Sequence, residues 1–409
     1  MNKLLALTIG VLLIGVLLNG SAVAEIQVSG HVGAQHRYFN QTPLYLAQES
    51  NQSSIFGQVE LFWQSPDGND SLTITPFGRK DFSDDNRSHH DLNEAYWLHI
   101  DDTTELSIGT KIIFWGVTES RHLVDIINQT DLIESLDGES KLGQPMAQLS
   151  WITDWGSVDF FVLPYFKEPV YAGAQGRLRL PLLVNQQPLY QSSDGQKHHD
   201  FALRVNYNFD DWDIGISAFK GTAREAEFLP KFTGQQVTSV IPLHRQISQI
   251  SLDVQGTIDD FLWKLEAIYR HQDSISDALT MRGVLASDNY IAATGGFEYS
   301  IVGFNDSAID LGLLFEYNYD QQPNSLFAHS AFIATRWAFN DFGSSEILAG
   351  INIDHQNNSH SAVVEASTRF GDNIKVSLEA WLFDSSQQQS PLYLLRRDDF
   401  VALELRYYF

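Results

Sequence analysis

The chain has 409 residues, with 26 Lys and Arg against 51 Asp and Glu, a formal net charge of −25. That sign repels nucleic acid, and the lack of cysteine excludes disulfides, thiolate metal sites and thiol catalysis. Beyond the first two dozen residues no run of 18 apolar residues occurs, which excludes transmembrane helices.

Residues 1–24 read as a cleaved signal peptide: Lys3, an apolar stretch from Leu4 to Leu18, then Ser21, Ala22, Val23 and Ala24 before Glu25. Export to the periplasm and a mature domain 25–409 follow as expectations. The mature charge is 25 − 51 = −26. No linker or composition shift divides the remainder.

From there, apolar residues recur at every second position in segment after segment. Clear examples are Val59/Leu61/Trp63, Phe201/Leu203/Val205/Tyr207, Ile309/Leu311/Leu313/Phe315 and Val401/Leu403/Leu405/Tyr407/Phe409. Period two places one face against an apolar medium and the other against water. Weaker segments lie near 26–38, 92–100, 146–153, 288–300 and 327–339. Together they predict an all-β fold, a transmembrane antiparallel up-and-down barrel of about 18 strands, with 16 as the alternative. A sheet with open edges leaves unpaired N–H and C=O groups in lipid, so it must close. A terminal strand ending in Tyr-Tyr-Phe409 also suits handling by barrel-assembly machinery.

Connections alternate in length. Short Asp/Asn/Gly-rich turns fall at Ser65–Asp70, Asp101–Thr104, Asp154–Gly156, Phe209–Asp213, Ile258–Asp260, Gly303–Ser307, Asn340–Gly343 and Gly371–Asn373. Long segments lie between them, at 117–145, 167–199, 222–243, 273–287 and 385–397. Trp63, Trp97, Trp151, Trp155, Trp212, Trp263 and Trp337 track the short turns, as indoles at the headgroup level do. The chain is therefore expected in the outer membrane of a Gram-negative cell, against phospholipid and lipopolysaccharide.

If apolar positions face lipid, parity turns Arg79, Lys111, Arg204, Lys264, Arg270, Arg336, Arg369, Lys375 and Arg406 inward. Glu60, Asp159, Asp253, Glu266, Glu298, Asp310, Glu316, Glu365, Glu379 and Glu404 join them. Mixed charge of this kind either tunes ion selectivity across a wet bore or braces the wall as salt bridges. Loop 117–145 follows Trp115-Gly116 and is too apolar to wave in water. Leu123, Ile126 and Ile127 fit a short amphipathic helix, and the loop is expected in or over the lumen. As a constriction it would carry Asp125, Asn128, Asp131 and Glu134 near the permeation path; the alternative is a structural lid. Loop 167–199, with Gly176-Arg177-Leu178-Arg179-Leu180-Pro181-Leu182-Leu183-Val184, either packs on its neighbours or receives an apolar ligand.

Enzyme signatures are lacking: there is no Gly-x-Ser-x-Gly, His-Glu-x-x-His or P-loop. The adjacent pairs His89-His90 and His198-His199 point to opposite sides of a strand and do not make a shared metal site. No cofactor is expected, although the acidic loops suit divalent cations that bridge lipopolysaccharide phosphates.

Leu106-Ser-Ile-Gly109 through Trp115-Gly116, followed by Asp125-Ile-Ile-Asn128-x-x-Asp131, resembles the Trp-Gly…Asn-Pro-x-Asp pattern of DUF1302-type outer-membrane proteins. Gln129 stands where that pattern has Pro. Gly176-Arg177-Leu178-Arg179, Trp212-Asp-Ile-Gly215, Leu262-Trp-Lys-Leu-Glu-Ala267 and Leu395-Arg-Arg-Asp-Asp399 resemble a related barrel family. The resemblance implies a porin-like barrel, or an outer-membrane component of lipid export that works with an inner-membrane exporter; it implies no catalytic residue. The two function classes carried forward are a diffusion channel for small solutes and that lipid-export component, with an outer-membrane hydrolase as a remote third.

Overall fold

The computed structural model describes residues 25–274, 289–322, 325, 326 and 328–409. The expected leader 1–24 and nearly all of the 273–287 segment lie outside the described residues.

Alternating side chains build the wall strand by strand. The first half holds β1 (Gln27–Phe39), β2 (Asn51–Gln64), β3 (Asp70–Asp81), β4 (His89–Ile100), β5 (Thr104–Lys111), β6 (Gln144–Thr153) and β7 (Gly156–Leu163). After β8 (Leu189–Tyr190) come β9 (Asp200–Phe209), β10 (Trp212–Thr222), β11 (Glu227–Thr233), β12 (Gln236–His244) and β13 (Gln246–Ile258). The remainder are β14 (Phe261–Gln272), β15 (Tyr290–Ile301), β16 (Asp310–Asp320), β17 (His329–Ala338), β18 (Glu346–Asp354), β19 (Ser359–Phe370), β20 (Ile374–Asp384) and β21 (Phe400–Tyr408).

Eighteen of these form one antiparallel sheet in sequence order. β8, β11 and β12 stand apart as a three-stranded sheet within the connections. β1 pairs with β21 from His31↔Tyr408 to Phe39↔Phe400, so the sheet closes on itself. This settles 18 strands over 16. No described helix is long and apolar enough to cross a membrane; the strands cross it, and closure leaves no open edge in lipid.

The wall is inverted relative to a water-soluble sheet. Along β21, Val401, Leu403, Leu405 and Tyr407 are 45–53 % exposed, whereas Phe400, Ala402 and Glu404 are 2–8 % exposed. An exterior this apolar is stable only against lipid. The seven turn-proximal indoles all fall on outward rows of their strands or in a short turn, and Trp97, Trp151, Trp155 and Trp263 are among the exposed ones. Trp212 lies over Gly256, where a Cβ would stand 2.3 Å from its ring. The short turns take left-handed backbone at Asp210, Asp259, Asn340, Gly68 and Gly371, residues that tolerate it.

One strand breaks the pattern. Pro76 lacks an N–H, and the β3–β4 register shifts between Thr75 and Pro76, a bulge that lets the ring sit on the lipid face without an unpaired carbonyl acceptor opposite.

Elsewhere the ladders tolerate little. A Cβ at Gly296 would stand 1.8 Å from the carbonyl oxygen of Phe315, whereas one at Gly78 meets nothing within 4 Å. Gly296→Ala should therefore lose most of the heat-modifiable, folded band on gel electrophoresis, and Gly78→Ala should keep it. Equal folding of both would contradict the register of β15 against β16.

Candidate functional site: the loop-lined lumen

The connection from β5 to β6, residues 112–143, runs inside the barrel. Its backbone finds partners on the wall instead of in a helix. Glu266 on β14 is fully buried and accepts from five donors: the amides of Val117 at 2.8 Å and Thr118 at 3.1 Å, the Thr118 hydroxyl at 2.9 Å, and the amides of Leu123 at 2.7 Å and Val124 at 3.1 Å. Glu316 on β16 takes the amides of Glu119 and Ser120, both at 2.8 Å, and the Ser120 hydroxyl at 2.7 Å. Arg224 donates to the carbonyls of Ile126 and Ile127 at 2.9 and 3.2 Å and is itself held by Asp200 at 2.8 Å.

The amphipathic helix expected around Leu123, Ile126 and Ile127 is not formed. Wall carboxylates hold the amides that lead into the segment, up to Leu123 and Val124, and a guanidinium takes the Ile126 and Ile127 carbonyls that an i→i−4 ladder would use. The apolar residues still do the packing anticipated for them. Leu123, Val124, Ile126 and Ile127 are buried with Trp115 against Met146, Phe161, Phe219, Ile247, Ile268 and Tyr290 of β6 to β15. That half of the bore is filled.

The second limb of the loop is strapped to β1–β3. Arg79 grips Glu134 through both oxygens, at 2.7 and 2.6 Å. Arg37 donates to the Glu134 carbonyl at 2.7 Å and Arg87 to the Ile133 carbonyl at 2.9 Å. Burial pushes the Glu134 carboxyl up, but the Arg79 guanidinium outweighs it and holds the group below its usual range. Leu136 packs against the cluster of Phe39, Phe400 and Ala402, as does Leu178 of the 164–199 connection. That connection reaches across the barrel mouth: Arg177, on the ring of Phe39 at 4.5 Å, bonds Asp398 at 2.6 Å, and Gln48 donates to the Gly176 carbonyl at 2.9 Å. Of the two readings of 167–199, packing on neighbours is the arrangement present at Gly176–Leu178.

What remains open is a chamber of about 450 Å³ between the loop and β17–β21, β1 and β3. Its charged lining comprises Glu119, Glu134, Asp137, Glu139, Glu346, Glu365, Glu379 and Glu404 against Arg79, Arg336, Lys375 and Arg406, a formal balance of 4 − 8 = −4. Three of the four cations are matched: Arg79 with Glu134, Arg336 with Glu119 at 2.7 Å, and Arg406 with Glu404 at 2.6 Å. Trp381 donates to Glu379 at 2.7 Å. Burial, then repulsion from Asp137 and Glu119, raises the Glu139 carboxyl.

The residues expected at the constriction divide accordingly. Glu134 lines the chamber. Asp125 and Asp131 do not: both are buried behind the loop. Asp125 pairs with Lys141 at 2.6 Å and accepts from the Trp115 amide at 3.2 Å, and Asp131 lies 3.8 Å from His89. A carboxylate set in Leu-Val-Asp-Ile-Ile goes in with its apolar neighbours. Asn128 is a staple, donating to the carbonyls of Lys111 and Leu142 at 2.9 and 2.8 Å and accepting from the Ile113 amide at 3.0 Å. Trp115 is buried under the Arg204 guanidinium at 4.9 Å, and Gly116 has φ of 153° where a Cβ would meet Glu266 at 3.1 Å. Asp137, Glu139 and Glu119 escape a reading centred on the apolar 122–134 stretch; the polar, Gly/Ser-rich setting of the first two is the signal that finds them.

On the wall, Arg204 and Asp253 form a two-pronged pair at 2.9 and 2.8 Å, and Asp159 accepts from Asn206 at 3.0 Å. Lys264 lies 3.9 Å and Arg336 3.6 Å from Glu298. Arg270 donates to Gln249 at 2.7 Å, and Lys111 to Gln148 at 3.1 Å. Arg369 lies over the Tyr408 ring at 5.0 Å, Lys375 opens onto the chamber, and Glu60 sits half-buried on the inner row of β2. Asp310 is the exception to the expected lining: it caps a short turn, accepting from the Gly303 amide at 2.9 Å and Asn340 at 2.8 Å. Among the described residues no group of three or more His, Asp or Glu is arranged to hold a metal ion.

Closed strand ladders, a lipid-compatible exterior and a charged interior crossed by a loop define an outer-membrane β-barrel of porin-like architecture. OmpT of Vibrio cholerae, an outer membrane protein in trimer form, matches over 95 % of this chain and 100 % of its own at 10 % identity and a TM-score of 0.49. A triple mutant of Rhodopseudomonas blastica porin matches over 94 % and 100 % at 13 % identity and a TM-score of 0.42. No family model matches the chain, and no curated protein does; the DUF1302-type resemblance thus rests on the residues quoted for it.

Two outcomes follow from this geometry. Glu266→Gln replaces one acceptor oxygen by an amide group and leaves two or three loop donors unmatched, at roughly 1–3 kcal/mol each; hydrogen exchange of the 117–124 amides should accelerate while the barrel ladders stay protected. Unchanged exchange would mean that Glu266 does not hold the loop. Burial first, and Glu134 second, push the Asp131 carboxyl from 3.8 to about 6. The folded loop therefore keeps a proton that the released loop has lost, and its stability falls as pH rises between those values. Asp131→Asn should slow exchange of residues 131–135 relative to the parent at pH 7 and match it at pH 4; the opposite ordering would contradict the burial penalty.

Proposed function

We propose that this protein is an outer-membrane channel for passive diffusion of small solutes, with a preference for cations, narrowed by loop 112–143. The chamber carries the reading: it is lined largely by polar and charged groups, and Asp137, Glu139, Glu346, Glu365 and Glu379 take part in none of the ion pairs that match its cations. In a low-dielectric cylinder such unmatched carboxylates draw in cations and repel anions. An enzyme reading gains nothing from the buried groups: Asp125 and Asp131 lie behind the loop, away from the chamber.

Purified mature protein in planar bilayers should give stable ohmic steps whose reversal potential in a salt gradient reports cation preference. At a distance of about 8 Å in water each charge contributes roughly 0.5 kcal/mol. Glu365→Gln combined with Glu379→Gln removes about 1 kcal/mol of attraction for a cation and as much repulsion of an anion, and should accordingly lower the cation-to-anion permeability ratio roughly thirtyfold at low salt. Electrical silence, with a folded barrel confirmed, would overturn the channel; anion preference would overturn the role of the carboxylates.

A further inference from the structure

Twelve Lys and Arg residues lie on the described barrel strands, and ten of them turn inward. The two exceptions, Lys80 and Lys220, occupy equivalent places. Lys80 is one residue from the end of β3 and Lys220 two from the end of β10, both at the rim that carries the long connections. Each has a small residue two positions earlier on the same outward row, Gly78 and Ala218. Each borders a depression in the lipid-facing wall.

The first depression, about 720 Å³, is floored where Gly57 and Gly78 pair across β2 and β3, with Val32, Ala34 and Ile55 around them. The second, about 520 Å³, centres on Ala218, which pairs with Leu203 on one side and Ile250 on the other, under Phe160 and Phe201. Both linings are apolar except at the lysine end. Lys80 donates to Ser88 at 3.1 Å and lies 3.8 Å from the almost fully exposed Asp85, so its ammonium is held at the water boundary. Lys220 has no ion pair among the described residues.

We infer that these two depressions seat the acyl chains of a phosphorylated glycolipid of the outer leaflet, lipid A, with Lys80 and Lys220 each meeting a phosphate. The Lys220 ammonium on the lipid face is costly unless an anion at the headgroup level matches it, and the one ionic partner of Lys80, Asp85, is almost fully exposed and leaves the ammonium free to meet a second anion. The rim is that of the long external connections, hence the outer leaflet. At the opposite rim the outward ionisable groups of the same wall are Asp70 and His99, bonded to each other at 2.9 Å, which offers a phospholipid phosphate no lysine. The inference stands apart from the transport reading.

Native mass spectrometry of the full mature chain in detergent tests it, with synthetic lipid A, its dephosphorylated form and phosphatidylglycerol as probes. The parent should retain two lipid A molecules, with dephosphorylation weakening retention about tenfold. Lys80→Ala and Lys220→Ala should each lose one. Gly78→Leu fills the first floor without meeting a neighbour at its Cβ, so it should fold, as heat-modifiable migration would verify, and lose one as well. Equal retention of phosphatidylglycerol, no retention of lipid A, or three variants indistinguishable from the parent would each overturn the assignment.

Discussion

A backbone group inside a membrane has no water to fall back on, and this molecule meets that constraint twice. The first solution is the closed ladder of 18 strands, sealed where β1 meets β21. The second is less common. A 32-residue connection (112–143) is taken inside the barrel without a helix or strand of its own, so its amides depend on side chains from the wall. Glu266, accepting five hydrogen bonds at zero exposure, fixes where the loop turns. A buried carboxylate with no neighbouring cation is costly in isolation; here converging N–H dipoles stand in for the counter-charge.

That anchor divides the bore. On the β6–β15 side the loop's apolar residues meet apolar inner rows and exclude water. On the β17–β21 side the inner rows are charged and the chamber stays open. Arg37, Arg79 and Arg87 then pull the second limb toward β1–β3, away from complete occlusion of that chamber. Selectivity, on this view, is set by which carboxylates the straps leave unmatched, more than by the total acidity of the chain.

Most of the wall is legible in the order of its residues, because period two is a direct record of lipid on one side and water on the other. The row Val401 to Phe409 could hardly be read otherwise, and the clustering of indoles near the short turns orients the whole cylinder. Strand β1 is weaker since Gly30, His31 and Gly33 blur the alternation. The loop is legible in its apolar character but not in its conformation. Leu123, Ile126 and Ile127 have helical spacing, yet that spacing equally serves an irregular segment whose amides are claimed by Glu266 and Glu316, on strands far along the chain. Nearness to the apolar Leu123–Ile127 stretch is likewise a poor guide to which carboxylates meet the chamber; local polarity is the better one. Asp125 and Asp131 follow apolar neighbours inward, and Asp137 and Glu139, in a Gly- and Ser-bearing stretch, face the chamber.

The central claim is that residues 112–143 occupy the bore and set its width. The chain has no native cysteine, so a single introduced thiol is a unique reporter. Asp137→Cys in a planar bilayer should react with a bulky charged thiol reagent and drop the single-channel current in a discrete step, while Phe232→Cys on the external β11–β12 hairpin should react without changing it. A current indifferent to modification at 137 would place the loop outside the conduction path and contradict the account.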